Sequence, residues 1–140
     1  SQVADGGVIW ECTGYHYGVG AYGNYHEPHF AALMLRAVMY LDLNNALTPT
    51  ERSIALNLGQ KCFNYLDSLY RGTPGDPMEG SFAEPNNNWW GFWHGEIVIT
   101  LSLIKRNNWA PASWLDMSKI DTWLAGSLEF WKRWDRKRYG

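Results

Sequence analysis

Asn44-Asn45-Ala46-Leu47-Thr48-Pro49-Thr50-Glu51 separates two runs of helical periodicity, and its chemistry decides the fold class. Thr48 can cap a helix, Pro49 suits the first helical position where no N–H is needed, and Glu51 completes a capping box. Ahead of it, Phe30, Leu33, Met34, Ala37, Val38 and Leu41 follow the i, i+3, i+4, i+7 spacing of an amphipathic helix. That helix starts at Pro28 and stops at Asn44-Asn45. Behind the hinge, Ile54, Leu58, Cys62, Tyr65, Leu66 and Leu69 mark one face of a second helix, which Gly72-Thr73-Pro74-Gly75-Asp76-Pro77 terminates. Helices joined by so short a turn pack as antiparallel neighbours.

A third helix is expected from Trp89 to Lys105, with Trp90, Trp93, Ile97, Leu101 and Ile104 on one side and Asn107-Asn108 and Pro111 as breakers. A fourth begins near Ser118, where Asp121 makes a second capping box. It carries Ile120, Trp123, Leu124, Leu128 and Trp131 towards Trp134. No segment alternates convincingly as a strand. The chain reads as one all-α domain over residues 1–140. It comprises a Gly/Tyr/His-rich loop (1–27, with a short extended piece at Val8–Trp10), a helical hairpin (28–71), a loop (72–88) and a second hairpin (89–135). Helical toroids and solenoids stack such pairs, and six pairs at ~45 residues each would need roughly 270 residues. The expectation is therefore a fragment or half-unit of an (α/α) toroid-like array, completed by another chain or a missing segment.

Composition narrows the functional classes. An apolar fraction of 46% with 19% charged residues belongs to a globular chain rather than a disordered one. A formal net charge of −2 argues against nucleic acid as the main partner, because phosphate binding needs a basic surface. No apolar run approaches the roughly 20 residues of a membrane span, and Gly6-Gly7-Val8-Ile9-Trp10 is too short for a signal peptide. Cys12 and Cys62 have no zinc spacing; they are either a disulfide pair or two buried thiols. Nine Trp and eight Tyr exceed what most cores of this size use. Such rings either pack between helices or stack on flat sugar faces.

Two stretches concentrate groups able to do chemistry. Residues 14–29, Gly-Tyr-His-Tyr-Gly-Val-Gly-Ala-Tyr-Gly-Asn-Tyr-His-Glu-Pro-His, hold three of the four histidines and four of the eight tyrosines. Gly18, Gly20 and Gly23 let the backbone approach a ligand closely. In Asn86-Asn87-Asn88-Trp89-Trp90-Gly91-Phe92-Trp93-His94-Gly95-Glu96, three amides stand beside three indoles, more than helix capping requires. Amides neutralise a carboxylate by hydrogen bonding without adding formal charge. A zinc site from His26 and His29 with Glu11, Glu27 or His16 is the competing reading, although Pro28 lies between the histidines and no HExxH pattern exists. Glu11, Glu27, Glu79, Glu84 and Glu96 form the pool for a glycosidase carboxylate pair. Lys132, Arg133, Arg136, Lys137 and Arg138 near the C-terminus form either a solvated helix end or a guide for an acidic polymer.

Asp5-Gly6-Gly7 followed by Gly20-Ala21-Tyr22-Gly23-Asn24 resembles the loop that carries the catalytic tyrosine of the hyaluronate/chondroitin lyases. Asn88-Trp89-Trp90 followed by Glu96-Ile97 resembles the segment supplying their catalytic asparagine, and Tyr15-His16 is similar to a pair in the heparinase-II-like and alginate lyases. The matching motifs cover some thirty residues. Two departures accompany them: the asparagine segment follows the tyrosine loop instead of preceding it, and His16 lies nearer Tyr22 than the family's histidine does to its tyrosine.

The resemblance implies an incomplete (α/α) toroid, secreted or periplasmic, that cleaves an acidic, uronate-containing polysaccharide by β-elimination without a cofactor. Asn88 or Asn87, helped by His94, would bind the uronate carboxylate; Tyr22 or His16 would take the C5 proton. Trp89, Trp90 and Trp93 would stack on the sugar rings, with Tyr15, Tyr17, His26 and His29 also contacting substrate. A non-catalytic carbohydrate-binding module and an α/α-toroid glycoside hydrolase are the alternatives.

Overall fold

The computed structural model describes residues 28–82 and 90–139 of the chain. These residues form four helices and, among the described residues, no strand: α1 (Pro28–Leu43), α2 (Pro49–Leu69), α3 (Trp90–Arg106) and α4 (Met117–Tyr139). The loop at 1–27, with its Val8–Trp10 piece, lies outside the described residues, as do residues 83–88 of the 72–88 loop.

The hinge behaves as its chemistry requires. Thr48 caps α2 by accepting the Glu51 N–H at 3.3 Å, and its own hydroxyl donates to the Glu51 carboxylate at 2.7 Å. Asn45 takes a left-handed conformation (φ 51°), which lets its N–H reach Asp42 O at 3.1 Å and the Ala46 N–H reach Leu41 O at 3.0 Å. This pair of bonds satisfies carbonyls that the end of α1 would otherwise leave open. Asn108 (φ 48°) ends α3 in the same way, through Lys105 O and Ile104 O. Asn44 and Asn107 each return a side-chain amide to the carbonyl one turn back, on Tyr40 and Leu103. The molecule therefore contains the same helix–Asn-Asn–helix unit twice.

Contacts between the units set their relative sense. Within the first hairpin, Gly59 of α2 lies beside Leu35 and Val38 of α1 while Arg52 pairs with Asp42, an antiparallel progression. Within the second, Lys105 pairs with Asp121 and His94 bonds Ser127. Between hairpins the progression runs forward: Ala32 O accepts from Thr100, and Asp42 accepts from the Trp109 indole. Likewise Asp67 pairs with Lys119 and Tyr70 meets Trp123. So α1 and α3 are parallel neighbours in one layer, and α2 and α4 form a second layer. The core between the layers holds Leu35, Met39, Phe63, Leu66, Ile97, Leu101, Ile104, Ile120 and Trp123. Trp123 makes ring contacts with Phe63, Tyr70 and Phe82, and truncating a side chain so placed costs about 3–5 kcal/mol.

Four expectations need correction. Ala37 and Leu41 were placed on the apolar stripe of α1 but are exposed, Leu41 at 43%; the buried side of α1 is Ala31, Ala32, Leu35, Val38 and Met39. Ile54 was placed on the buried face of α2 but is 66% exposed; the buried side is Gly59, Cys62, Phe63 and Leu66, and Ile54 stands at its rim. Leu128 of α4 is 56% exposed, because Ile120, Trp123, Ser127 and Phe130 take the inward positions. The start of α4 is set by Asp116, whose carboxylate accepts from the Ser118 N–H at 2.9 Å and the Lys119 N–H at 3.3 Å. Asp121, one turn further on, pairs with Lys105 instead of closing a capping box. Cys62 is buried in the core, and any pairing with Cys12 lies outside the described residues. No helix among the described residues is long and apolar enough to cross a membrane.

The loop after α2 is closed on itself. Arg71 N–H donates to Ser81 O at 2.9 Å and Gly80 N–H to Arg71 O at 2.7 Å, while the Asp76 carboxylate receives Arg71 and the Met78 N–H. Gly80 (φ 86°) lies directly on the backbone of Gly126 in α4, where a Cβ would collide with the Gly126 carbonyl. Gly75 has a similar φ of 84° but nothing within 4 Å of an added Cβ. Gly75→Ala is thus expected to cost only conformational strain, about 1 kcal/mol, whereas Gly80→Ala adds a collision worth about 1–3 kcal/mol more. Urea unfolding midpoints of the two variants check this, and equal midpoints would mean that the loop does not rest on α4.

Candidate functional site

Because α1 and α3 are parallel, their N-termini lie at one end of the molecule, together with the C-terminus of α2 and the loop that follows it. The Gly/Tyr/His-rich stretch joins α1 at Pro28, and the triple-asparagine stretch joins α3 at Trp90. Of the residues singled out in the sequence, Tyr15, His16, Tyr17, Tyr22, His26, Asn87, Asn88 and Trp89 lie outside the described residues. Trp90 and Trp93 fall on the first turn of α3. His29 and His94, on α1 and α3, are described in full.

His94 is 1% exposed and sits inside an aromatic enclosure. Its ring stacks on Trp131 at 5.5 Å with 9° between planes, and meets Phe130 edge-on at 5.2 Å. Nε2 lies 3.0 Å from Ser127 Oγ, and the Ser127 hydroxyl is itself 3.1 Å from Gly80 O. A serine hydroxyl has one proton, and Gly80 O can only accept, so Ser127 donates to Gly80 and accepts from His94 Nε2–H. This tautomer leaves Nδ1 as a buried acceptor with no hydrogen-bond partner. Burial alone pushes the imidazole pKa down from 6.5 to about 4, so the ring is neutral near pH 7.

The close approach of Gly80 to Gly126 explains the arrangement. Two glycines in contact bring the loop near enough for Ser127, the next residue of α4, to bridge it to α3. The enclosure excludes a serine–histidine nucleophile: Ser127 is 1% exposed and its proton is committed to Gly80. The donor nitrogen of His94 is likewise committed to Ser127.

A second polar group marks the seam between α1 and α3. Arg36 donates through Nε to Thr100 Oγ1 at 3.1 Å, and through Nη2 to Glu96 Oε2 at 2.8 Å and Glu96 O at 3.2 Å. Thr100 passes its own proton to Ala32 O at 3.2 Å. His29, 6% exposed, has its pKa lowered by burial, with the Glu96 charge opposing. The Arg36–Glu96 pair is about a quarter exposed, so its net worth is about 1 kcal/mol or less, and it fixes register more than it adds stability.

Of the carboxylates in the glycosidase pool, Glu96 is engaged by Arg36 and Glu79 accepts the Gly75 N–H at 3.0 Å; Glu11, Glu27 and Glu84 lie outside the described residues. No group of three His, Cys, Asp or Glu that could hold a metal occurs among the described residues. Sequence reading missed Ser127, Gly80, Arg36 and Thr100. Gly126-Ser127, two small residues amid the bulky run of α4, and Arg36, the one cation in an apolar helix, were the available signals.

The two buried histidines predict an acid-sensitive fold. With a folded pKa below the unfolded value of 6.5, the unfolded chain binds a proton that folded His94 refuses. The stability His94 confers is complete above pH 6.5 and is lost as pH falls towards about 4, a difference of roughly 3 kcal/mol, with His29 acting in the same direction. Asp42, Asp76 and Asp116, whose pKa values lie below 3.8, lose their contributions only at still lower pH, so the two windows separate. Urea titrations of the wild type and His94→Phe should show this slope strongly reduced in the variant; an unchanged slope would refute the assignment. Ser127→Ala should cost about 1–3 kcal/mol at pH 7 in the same measurement.

No protein family, curated protein or solved structure matches this chain, so its functional reading rests on its own residues.

Proposed function

We propose that this chain is part of an (α/α) toroid-like array that binds an acidic, uronate-containing polysaccharide and cleaves it by β-elimination. One observation carries the reading. The two stretches richest in histidine, tyrosine, asparagine and tryptophan join the fold at the N-termini of adjacent parallel helices, α1 and α3. Segments attached so close together can share one ligand. Two hairpins repeated in the same sense, one layer of parallel helices against another, are also the unit from which helical arrays are built.

In this scheme Asn88 or Asn87 hydrogen-bonds the uronate carboxylate and stabilises the enolate that develops when the C5 proton leaves. Tyr22 or His16 accepts that proton. The electron pair forms the C4–C5 double bond, the C4–O bond breaks, and a tyrosine hydroxyl protonates the departing oxygen. Trp89, Trp90 and Trp93 stack on the rings and Tyr15, Tyr17 and His26 line the approach, whereas His29, expected there from the sequence, is buried at the start of α1. Because the His94 donor is held by Ser127, His94 acts as a positioning residue for the first turns of α3. The chemistry calls for no cofactor, and a polymer of this kind places the protein outside the cell or in the periplasm. The array is completed by another chain or a further segment.

A non-catalytic sugar-binding module is the second reading. What favours it is that both described histidines are buried with lowered pKa values.

Incubation with alginate, hyaluronan and glucuronan separates the two. The lyase produces an unsaturated uronate that absorbs in the ultraviolet; the module binds without absorbance; reducing ends without absorbance would indicate a hydrolase. Tyr22→Phe is expected to abolish turnover while binding persists, and unchanged turnover would remove Tyr22 from the mechanism.

A further inference from the structure

The two Asn-Asn hinges allow the units to be laid on each other residue by residue, with Asn45 equivalent to Asn108. Toward its N-terminal end the seam between the units uses Ala32 and Arg36 of α1 against Glu96 and Thr100 of α3; at its other end Asp42 meets the Trp109 indole, positions that fall on Lys105 and Ala46 and lie outside the repeated patch. Laid on the second unit, Ala32 and Arg36 fall on Gly95 and Ile99. Laid on the first, Glu96 and Thr100 fall on Leu33 and Ala37. Each unit therefore repeats, on its free side, the half of the seam that the other unit uses.

Among the described residues these halves are only partly covered: Ile99 is 47% exposed, Ala37 is exposed, Leu33 and Gly95 are half-buried, and a methyl placed on Gly95 would meet no described residue within 4 Å. Tyr40 and Leu41 extend the α1 side at 41% and 43% exposure. Their chemistry has changed together. Where the internal seam sets Arg36 against Glu96 and Thr100, the free halves offer Ile99 for the arginine and Leu33 and Ala37 for its two partners. A polar lock has become an apolar one on both sides at once, and the small residue opposite, Ala32, is matched by Gly95.

We propose that the free α3 side of one copy docks on the free α1 side of a second copy, continuing the α1–α3 seam from chain to chain. Ile99 then lies against Leu33 and Ala37 of the next molecule, as Arg36 lies against Glu96 and Thr100 within one. The contact is heterologous, so it propagates head to tail and ends as a ring or an open filament. It does not depend on the sugar reading: the polysaccharide assay and the assembly test fail separately.

Sedimentation equilibrium from about 10 μM to about 1 mM, the range that a small interface demands, tests the proposal. The wild type should gain mass with concentration. Ala37→Glu blocks one side and Ile99→Glu the other, so each variant alone should remain monomeric. Mixed, they retain one complementary pair of sides and should form a 1:1 dimer that grows no further. Leu33→Lys and Gly95→Lys serve as replacements if either variant loses cooperative unfolding. A wild type that stays monomeric throughout overturns the proposal, as does a single variant that still associates or a mixture that does not pair.

Discussion

The molecule is organised by two helices that have almost no polar face. Apart from the Tyr40 hydroxyl, the polar side chains of α1 are His29, Arg36 and Asp42. Arg36 is locked to α3, and Asp42 receives both Arg52 of α2 and the Trp109 indole beyond α3. The Arg52 hydrogen bond is the main reason that the Asp42 carboxyl sits below its ordinary pKa. A helix apolar around most of its circumference has to be covered on more than one side. Here α2 covers one flank and α3 another. The few polar groups then decide which neighbour sits where, because each would be costly to bury unpaired. Apolar area supplies the driving force; Arg36, Thr100 and Asp42 supply the register.

The end of the molecule where α1 and α3 begin is held by a different device. Gly80 and Gly126 touch backbone to backbone, which places a loop against a helix at a separation that a Cβ on Gly80 would not allow. Ser127 and His94 then tie that loop to α3 through two hydrogen bonds buried among Phe82, Phe130 and Trp131. The low-dielectric surroundings strengthen the bonds and also make a charged imidazole costly. The tie between loop and helix and the sensitivity to acid thus have one cause. The consequence for function is positional: the chain that leaves Phe82 and the chain that enters α3 are anchored by the same node.

Local chemistry in the sequence was legible at three helix ends, where a residue acts on its own backbone neighbours. Thr48, Pro49 and the Asn-Asn pairs place three helix ends within a residue or two, since capping and left-handed turns depend on groups a few bonds away. Periodicity located the helices but misjudged their edges. Ile54 and Leu128 fit the stripes of α2 and α4, yet a stripe says which residues share a face, not how far the neighbouring helix extends across it. Asp116 was overlooked as a cap because Ser118 and Asp121 imitate the pattern two residues later.

Taken by itself, the sequence determined an all-α chain of two hairpins and picked out His29 and His94 as noteworthy. It also marked the two stretches whose chemistry suggests a sugar ligand. Only the tertiary structure decided that the hairpins run in the same sense, that Arg36 belongs to Glu96 and Thr100, and that His94 spends its donor on Ser127. The physical reason is range. Caps and periodicity arise from interactions within a turn or two, whereas these pairings join residues from 33 to 68 positions apart. Such pairings form only when packing of the apolar faces brings their helices side by side.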